Sequence, residues 1–260
     1  MELSGKAAIV TGSSRGVGRA TAVALARRGC GVLINYNTSR TEAEATAAAV
    51  RELGGRAVCF AGNVADDAVC RAMINTAVRE FGRLDVLVNN AGTTRFINFP
   101  DLEAVTEDDW TRIFAVNLKG PFQCARAARP HLERHGAGVI VNVASVAGIT
   151  GAGSSIPYCA SKAALINLTI ALARTLGPAI RVNAVAPGFI DGEWLRKGLG
   201  DDFESAKETK AQHAVLGKVC QPQDIADAIL ALITADLVTG HTMVVDAGHT
   251  IGPRLNHGIK

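Results

Sequence analysis

Residues 7–29 read AAIVTGSSRGVGRATAVALARRG. The apolar run AAIVTG (7–12) has the composition of a strand buried on both faces, and RATAVALARRG (19–29) has the spacing of a helix ending at Gly29. Between them stand glycines at 12, 16 and 18, where the chain can turn tightly and pass straight from strand to helix. A strand feeding a helix in this way is the first half of a strand–helix–strand unit. Outward from it the rhythm repeats: GVLINY (31–36), TEAEATAAAVRELG (41–54), AVCFAG (57–62), VCRAMINTAVREFG (69–82), LDVLVNNAG (84–92), GVIVNVAS (138–145), IRVNAVAPG (180–188) and TMVVDAG (242–248). This alternation predicts an α/β fold, a Rossmann-type doubly wound parallel sheet with helices on both faces. With no linker or repeat, a single domain over 1–248 is expected, followed by a tail at 249–260. Residues 189–220 form a long charged insertion after a strand, on the edge where such sheets bind ligands, and are read as a substrate lid.

Composition narrows the function. Hydrophobic residues make up 48% of the chain and charged ones 20%, enough for a sizeable core, and aromatics are scarce at 5%. A formal charge of +3, with Lys and Arg interspersed among acids, gives no footprint for nucleic acid or a membrane surface. No secretory leader is expected before the first strand, and no apolar run is expected to be long enough to span a bilayer. The six cysteines (30, 59, 70, 124, 159, 220) form no CxxC pair and read as small buried hydrophobes. His131 and His135, four apart on an expected helix, lack a third ligand, so no metal is expected. These readings together imply a cytoplasmic protein.

Two constellations carry chemistry. In Thr11-Gly12-Ser13-Ser14-Arg15-Gly16-Val17-Gly18 the glycines admit a pyrophosphate to the backbone, and the free N–H groups of the following helix face it. The tip of the second strand, Asn35-Tyr36-Asn37-Thr38-Ser39-Arg40, carries no carboxylate before Glu42. A site for NAD usually has an acid there for the ribose hydroxyls. Arg15, with Arg40 nearby in sequence, would suit a 2′-phosphate instead, so NADP(H) is expected to be preferred, with NAD(H) possible. The second constellation is Tyr158-Cys159-Ala160-Ser161-Lys162, with Ser145 at the end of the preceding strand. Tyr158 and Lys162 share a helical face. A phenol titrates near ~10, and a neighbouring ammonium would lower that value toward neutrality.

On these residues the chain resembles the short-chain dehydrogenase/reductase family in its standard branch, over about residues 5–250. The likeness rests on TGSSRGVG (11–18), NNAG (89–92), Asn117, Ser145, Tyr158, Lys162 and Pro187-Gly188. NNAGTTR and YCASKAAL are similar to the 3-oxoacyl-[acyl-carrier-protein] reductases within it. The resemblance implies a hydride transfer between nicotinamide and a carbonyl or secondary alcohol. It gives Tyr158 the role of general acid or base and Ser145 that of polarising the substrate oxygen. Lys162 would hold the nicotinamide ribose and lower the phenol pKa, and Asn117 would position a water. The cofactor is expected on Gly12, Ser14, Arg15, Gly16, Val17, Gly18, Asn37, Asn63, Val64, Asn90, Ala91, Gly92, Tyr158, Lys162, Pro187, Gly188 and Ile190. Asn63-Val64 replaces the family's frequent Asp-Val, and Gly192 stands where many members have a cofactor-binding Thr. Arg95 falls at the mouth of the expected site, and Trp194 within the expected lid. The expected partners are a small carbonyl or alcohol substrate, possibly an acyl thioester, and further copies of the chain in a dimer or tetramer. A dehydrogenase of sugars, polyols or other secondary alcohols and a non-catalytic nucleotide sensor are the competing readings, the intact tetrad of Asn117, Ser145, Tyr158 and Lys162 opposing the latter.

Overall fold

The computed structural model describes residues 1–252. Seven parallel strands, β1 (Ala7–Val10), β2 (Gly31–Tyr36), β3 (Ala57–Ala61), β4 (Val86–Asn89), β5 (Gly138–Val143), β6 (Ile180–Pro187) and β7 (Thr242–Val245), form one sheet in the order β3-β2-β1-β4-β5-β6-β7. The chain winds one way from β1 to β3 and then returns to the other side of β1. β1 therefore pairs with both β2 (Val10 opposite Ile34) and β4 (Val10 opposite Val88). The crevice above this reversal is where such folds bind ligands.

Successive strand residues point to opposite faces, and each face is covered by helices. Ala8, Val10, Val32, Ile34, Val86 and Val88 pack toward α1 (Gly16–Ala26), α2 (Arg40–Glu52) and α10 (Pro222–Thr234), whose Leu25, Val50, Ile225 and Ile229 are buried. Ile9, Leu33, Leu87, Ile140 and Val182 pack toward α3 (Asp67–Phe81), α5 (Gly120–Glu133) and α7 (Ile156–Leu176). Caps set the helix ends: Asp66 accepts from the Ala68 amide, and Ser155 from the Tyr158 amide. α1 ends three residues before the expected Gly29, because Arg27–Gly29 already form the turn into β2.

Several expectations are corrected. α4 (Glu107–Phe114) runs through a π-helical turn (Ala115–Lys119) into α5, and α5 ends at Glu133, so His135 lies past the helix rather than one turn beyond His131. α7 has 21 residues and a mean hydropathy of 1.4, long and apolar enough to cross a bilayer by those measures alone. It packs here on β6, on α4 and on the short α6 (Ala147–Thr150), and it carries the buried Lys162. The insertion 189–220 contains α8 (Glu193–Leu199), a 3-10 turn and α9 (Phe203–His213). The cysteines are free thiols, all buried except the half-buried Cys59. Of the tail, His249–Ile251 make a 3-10 turn, and 253–260 lie outside the described residues.

Candidate active site

The loop from β1 into α1 is shaped by its neighbours. Gly12 and Gly16 have φ of +60° and +54°. A Cβ on Gly18 would lie 2.5 Å from the Gly12 carbonyl oxygen and 2.6 Å from Asn90 Nδ2, so only glycine lets the helix start this close to the strand. Asn90 ties the loop to β4 by donating from Nδ2 to the Thr11 and Gly12 carbonyls at 2.8 and 2.9 Å. The Thr11 hydroxyl accepts from the Asn90 and Ala91 amides at 3.0 Å. Asn35 of β2 accepts from the Gly12 amide at 3.1 Å. The result is a narrow cradle between the ends of β1 and β4 with the N-terminus of α1 open to it, a fit for a dinucleotide pyrophosphate.

Arg15 spans this cradle. One end of its guanidinium donates to the Ser39 hydroxyl beyond the tip of β2, and the other pairs with Glu193 of α8 at 2.7 Å. The Ser39 contact places a cation at the strand tip that lacks an acid. The Glu193 contact was not legible in the sequence, since no local pattern joins residues so far apart. Asn37 and Asn63 are exposed on the same edge, and Val64 is buried beneath it. Gly188 and Ile190 follow β6, where Ile190 bridges to Cys220. Gly192 caps α8 and has no side chain to offer a ligand.

Ser145, Tyr158, Lys162 and Asn117 converge at the other end of the crevice. Ser145 lies just beyond β5, and its Oγ accepts from the Ala147 amide at 3.1 Å, opening α6. A Cβ on Gly148 would sit 2.5 Å from the Lys162 carbonyl carbon, so this glycine lets α6 press onto α7 and hold Ser145 beside Tyr158. Burial pushes the Tyr158 phenol up to about 12, with the Ser145 hydroxyl pulling it down. Burial also pulls Lys162 down to about 8. The expected lowering of the phenol by its ammonium neighbour is therefore not made here. Lys162 Nζ donates to the Val143 carbonyl at 2.7 Å and lies over the Tyr158 ring, 5.7 Å from its centre.

A Cβ on Gly92 would lie 3.6 Å from Asn117 Oδ1, 3.8 Å from Lys162 Nζ and 3.8 Å from Trp194 Cη2, so these three groups surround the end of β4. Trp194 thus brings α8 over the tetrad. Arg95 pairs with the buried Asp109 of α4 at 2.9 Å and donates to the Ala104 carbonyl, which ties it to the wall of the site. No cluster of three metal-ligating side chains occurs among the described residues.

This arrangement has close counterparts. A family model described as Enoyl-(Acyl carrier protein) reductase matches residues 12–250. A structure from Burkholderia xenovorans, described as a short-chain dehydrogenase/reductase, superposes with a TM-score of 0.88 at 35% identity, covering 95% of this chain and 98% of its own. The chain belongs to the short-chain dehydrogenases/reductases. The enzyme is 44% identical over 241 residues to a Streptomyces violaceoruber protein described as ketoacyl reductase 2 of the granaticin polyketide synthase, covering 93% of this chain and 94% of that protein. It is 41% identical over 246 residues to the 3-oxoacyl-[acyl-carrier-protein] reductase of Staphylococcus aureus, covering 94% and 97%. It is an oxidoreductase that uses a nicotinamide cofactor and acts on carbonyl or CH–OH groups.

Proposed function

We propose that the enzyme reduces the keto group of 3-oxoacyl thioesters with NADPH. The substrate class is supported by the relatives that carry ketoacyl reductase names at 41–44% identity. The chemistry is supported by one observation above all: the Ser145 hydroxyl bears on the Tyr158 phenol, and Lys162 Nζ lies 5.7 Å from the centre of the same ring. The Ser145 hydroxyl polarises the substrate carbonyl, and Tyr158 passes its proton to that oxygen as hydride arrives at the carbon. Lys162 holds the nicotinamide ribose and replenishes the phenol, and Asn117 positions the solvent from which that proton comes. When bound, the nicotinamide supplies the hydride.

Gly12, Ser14, Gly16, Val17 and Gly18 would hold the pyrophosphate, and Arg15 the 2′-phosphate. Asn37, Asn63 and Val64 would border the adenosine. Asn90, Ala91 and Gly92 would support the adenosine side of the cofactor, and Pro187, Gly188 and Ile190 the nicotinamide. Residues 189–220 act as the lid. Six free thiols fit a reducing, cytoplasmic setting. Copies of the chain associate through α5 and α7, where Phe122 and Ile170 are exposed.

The reading is tested by following nicotinamide absorbance with a 3-oxoacyl thioester, a 2-enoyl thioester, and sugars and polyols, each with both cofactors. Turnover of the 3-oxoacyl thioester with NADPH is expected to exceed all others. Turnover confined to the enoyl thioester or to a polyol would overturn the substrate assignment.

A further inference from the structure

Beneath the tetrad lies a buried hydroxyl with no role in the mechanism above. Ser161 stands between Tyr158 and Lys162 in the first turns of α7 and is wholly buried. Its Oγ donates to the Tyr158 carbonyl at 2.8 Å and accepts from Asn117 Nδ2 at 3.0 Å. A serine hydroxyl has one proton to donate, and here it is spent on the carbonyl, so the oxygen turns only lone pairs toward Asn117. That fixes which end of the Asn117 amide faces α7.

The other contacts of Asn117 agree with this orientation. Its Oδ1 accepts from the Thr93 amide at 2.8 Å, and Nδ2 donates to the Thr93 carbonyl at 3.0 Å. Thr93 directly follows the NNAG run, so one side chain links the cofactor edge of β4 to the helix bearing the proton donor. Asn117 is carried on the π-helical turn, a rare and widened geometry found mostly at functional sites. Its side chain needs lateral ties to hold one rotamer, and Ser161 supplies the tie that comes from the catalytic helix.

We propose that Ser161 is a positioning residue for proton transfer, its hydroxyl holding Asn117 in register with Tyr158 and Lys162. This rests on the tetrad roles proposed above. Removal of the hydroxyl leaves one N–H of a buried amide without its partner and leaves Asn117 held by Thr93 alone, with no tie to the catalytic helix, while the cradle for the cofactor is untouched.

The test is a double-mutant cycle on the full chain, with Ser161→Ala, Asn117→Ala and the pair, and with Tyr158→Phe measured alongside. Ser161→Ala is expected to lower kcat by roughly 5- to 50-fold, the factor a buried hydrogen bond carries when converted to rate. KM and the cofactor Kd should stay within about twofold, as expected of an interaction needed only in the transition state. In the Asn117→Ala background the same change should cost little more, because Ser161 acts through Asn117. A wild-type kcat for Ser161→Ala, additive losses in the pair, or a parallel loss of cofactor affinity and melting temperature would each overturn the proposal. Collapse of Tyr158→Phe alongside any of these leaves the tetrad reading intact. Near-full activity of Tyr158→Phe removes that reading and this proposal with it.

Discussion

Tyr158 and Lys162 feel the same burial with opposite consequences. Burial disfavours the charged form of each, so the phenol keeps its proton up to about 12 and the lysine gives its proton up near 8. At neutral pH the phenol is therefore neutral and ready to donate. Tyr158→Phe removes only the transferable proton, and turnover should fall about 10²–10⁴-fold with cofactor affinity retained; near-full activity in this variant would falsify the assignment. Lys162 makes a separate statement about stability. Below about pH 8 the lysine is charged in both folded and unfolded chains, and folding bears the full cost of burying it. As pH rises from about 8 toward 10.5 the folded state loses the proton first, and that cost is relieved. At 1.36 kcal/mol per unit the cost at neutral pH is on the order of 3 kcal/mol. Lys162→Met should therefore be more stable than wild type at pH 7 by about 1–3 kcal/mol in urea unfolding, since the lost bond to the Val143 carbonyl offsets part of the gain. The advantage should shrink on titration to alkaline pH. The raised thiols of Cys30, Cys59 and Cys220 are common to both proteins and cancel in the difference. A Met variant less stable than wild type at neutral pH would show that the ammonium is better accommodated than its burial implies.

Among the elements, the segment after β6 has the most to reveal. It is stapled internally: Asp191 accepts from Arg196 at 2.7 Å and Lys207 at 2.6 Å, and the Arg196 guanidinium lies 4.1 Å over the Phe203 ring. Internal packing of this kind favours movement of 189–213 as a unit rather than residue by residue. Its tie to the phosphate loop is the Arg15–Glu193 pair, which is more than a third exposed on both sides. If Arg15 reads the 2′-phosphate, Glu193 competes for the same guanidinium. Arg15→Ala should weaken NADPH about 10- to 100-fold and leave NADH nearly unchanged, the effect of losing a hydrogen bond to a charged group. Glu193→Gln should do the reverse on a smaller scale, tightening NADPH about two- to fivefold because exposed ion pairs contribute little. Fluorescence titration of both variants with both cofactors decides it, and equal losses for NADPH and NADH in Arg15→Ala would rule out the 2′-phosphate contact. Sequence showed the charged insertion and the acid-free strand tip, each a local feature. The pairing of Arg15 with Glu193 depends on where two loops meet in space, which no periodicity records.

Across the whole molecule the same division holds. The strand sequence and the glycine loop were legible because a doubly covered parallel sheet demands continuous apolar runs of fixed length between helices. The stretch from 107 to 133 was not, because its helix runs through a π turn that interrupts the 3.6-residue repeat around Asn117. Tyr158 and Lys162 were found from their spacing, while Ser161 needed the Asn117 bond that only the folded chain forms. α7 shows best what the isolated subunit leaves unused. Its outer face exposes Ala163, Ile170 and Ala171, with the polar Asn167, Arg174 and Thr175 among them. Beside them Phe122 of α5, 40% exposed, borders an open groove of about 690 Å³ also lined by Phe114, Leu118 and Leu168. A groove lined mainly by apolar and small residues, with Lys119 and Asn167 among them, is what a second copy of the same helices can cover by close packing. Light scattering of the wild-type enzyme should therefore give a multiple of the 27.1 kDa chain mass, as a dimer or tetramer. Ile170→Asp should shift it toward the monomer, because a carboxylate buried in that contact has no partner to offset its desolvation. The side chain points away from the cofactor crevice, so a folded monomeric variant should still bind NADPH. A wild-type mass of 27.1 kDa at micromolar concentration would remove the association through α5 and α7.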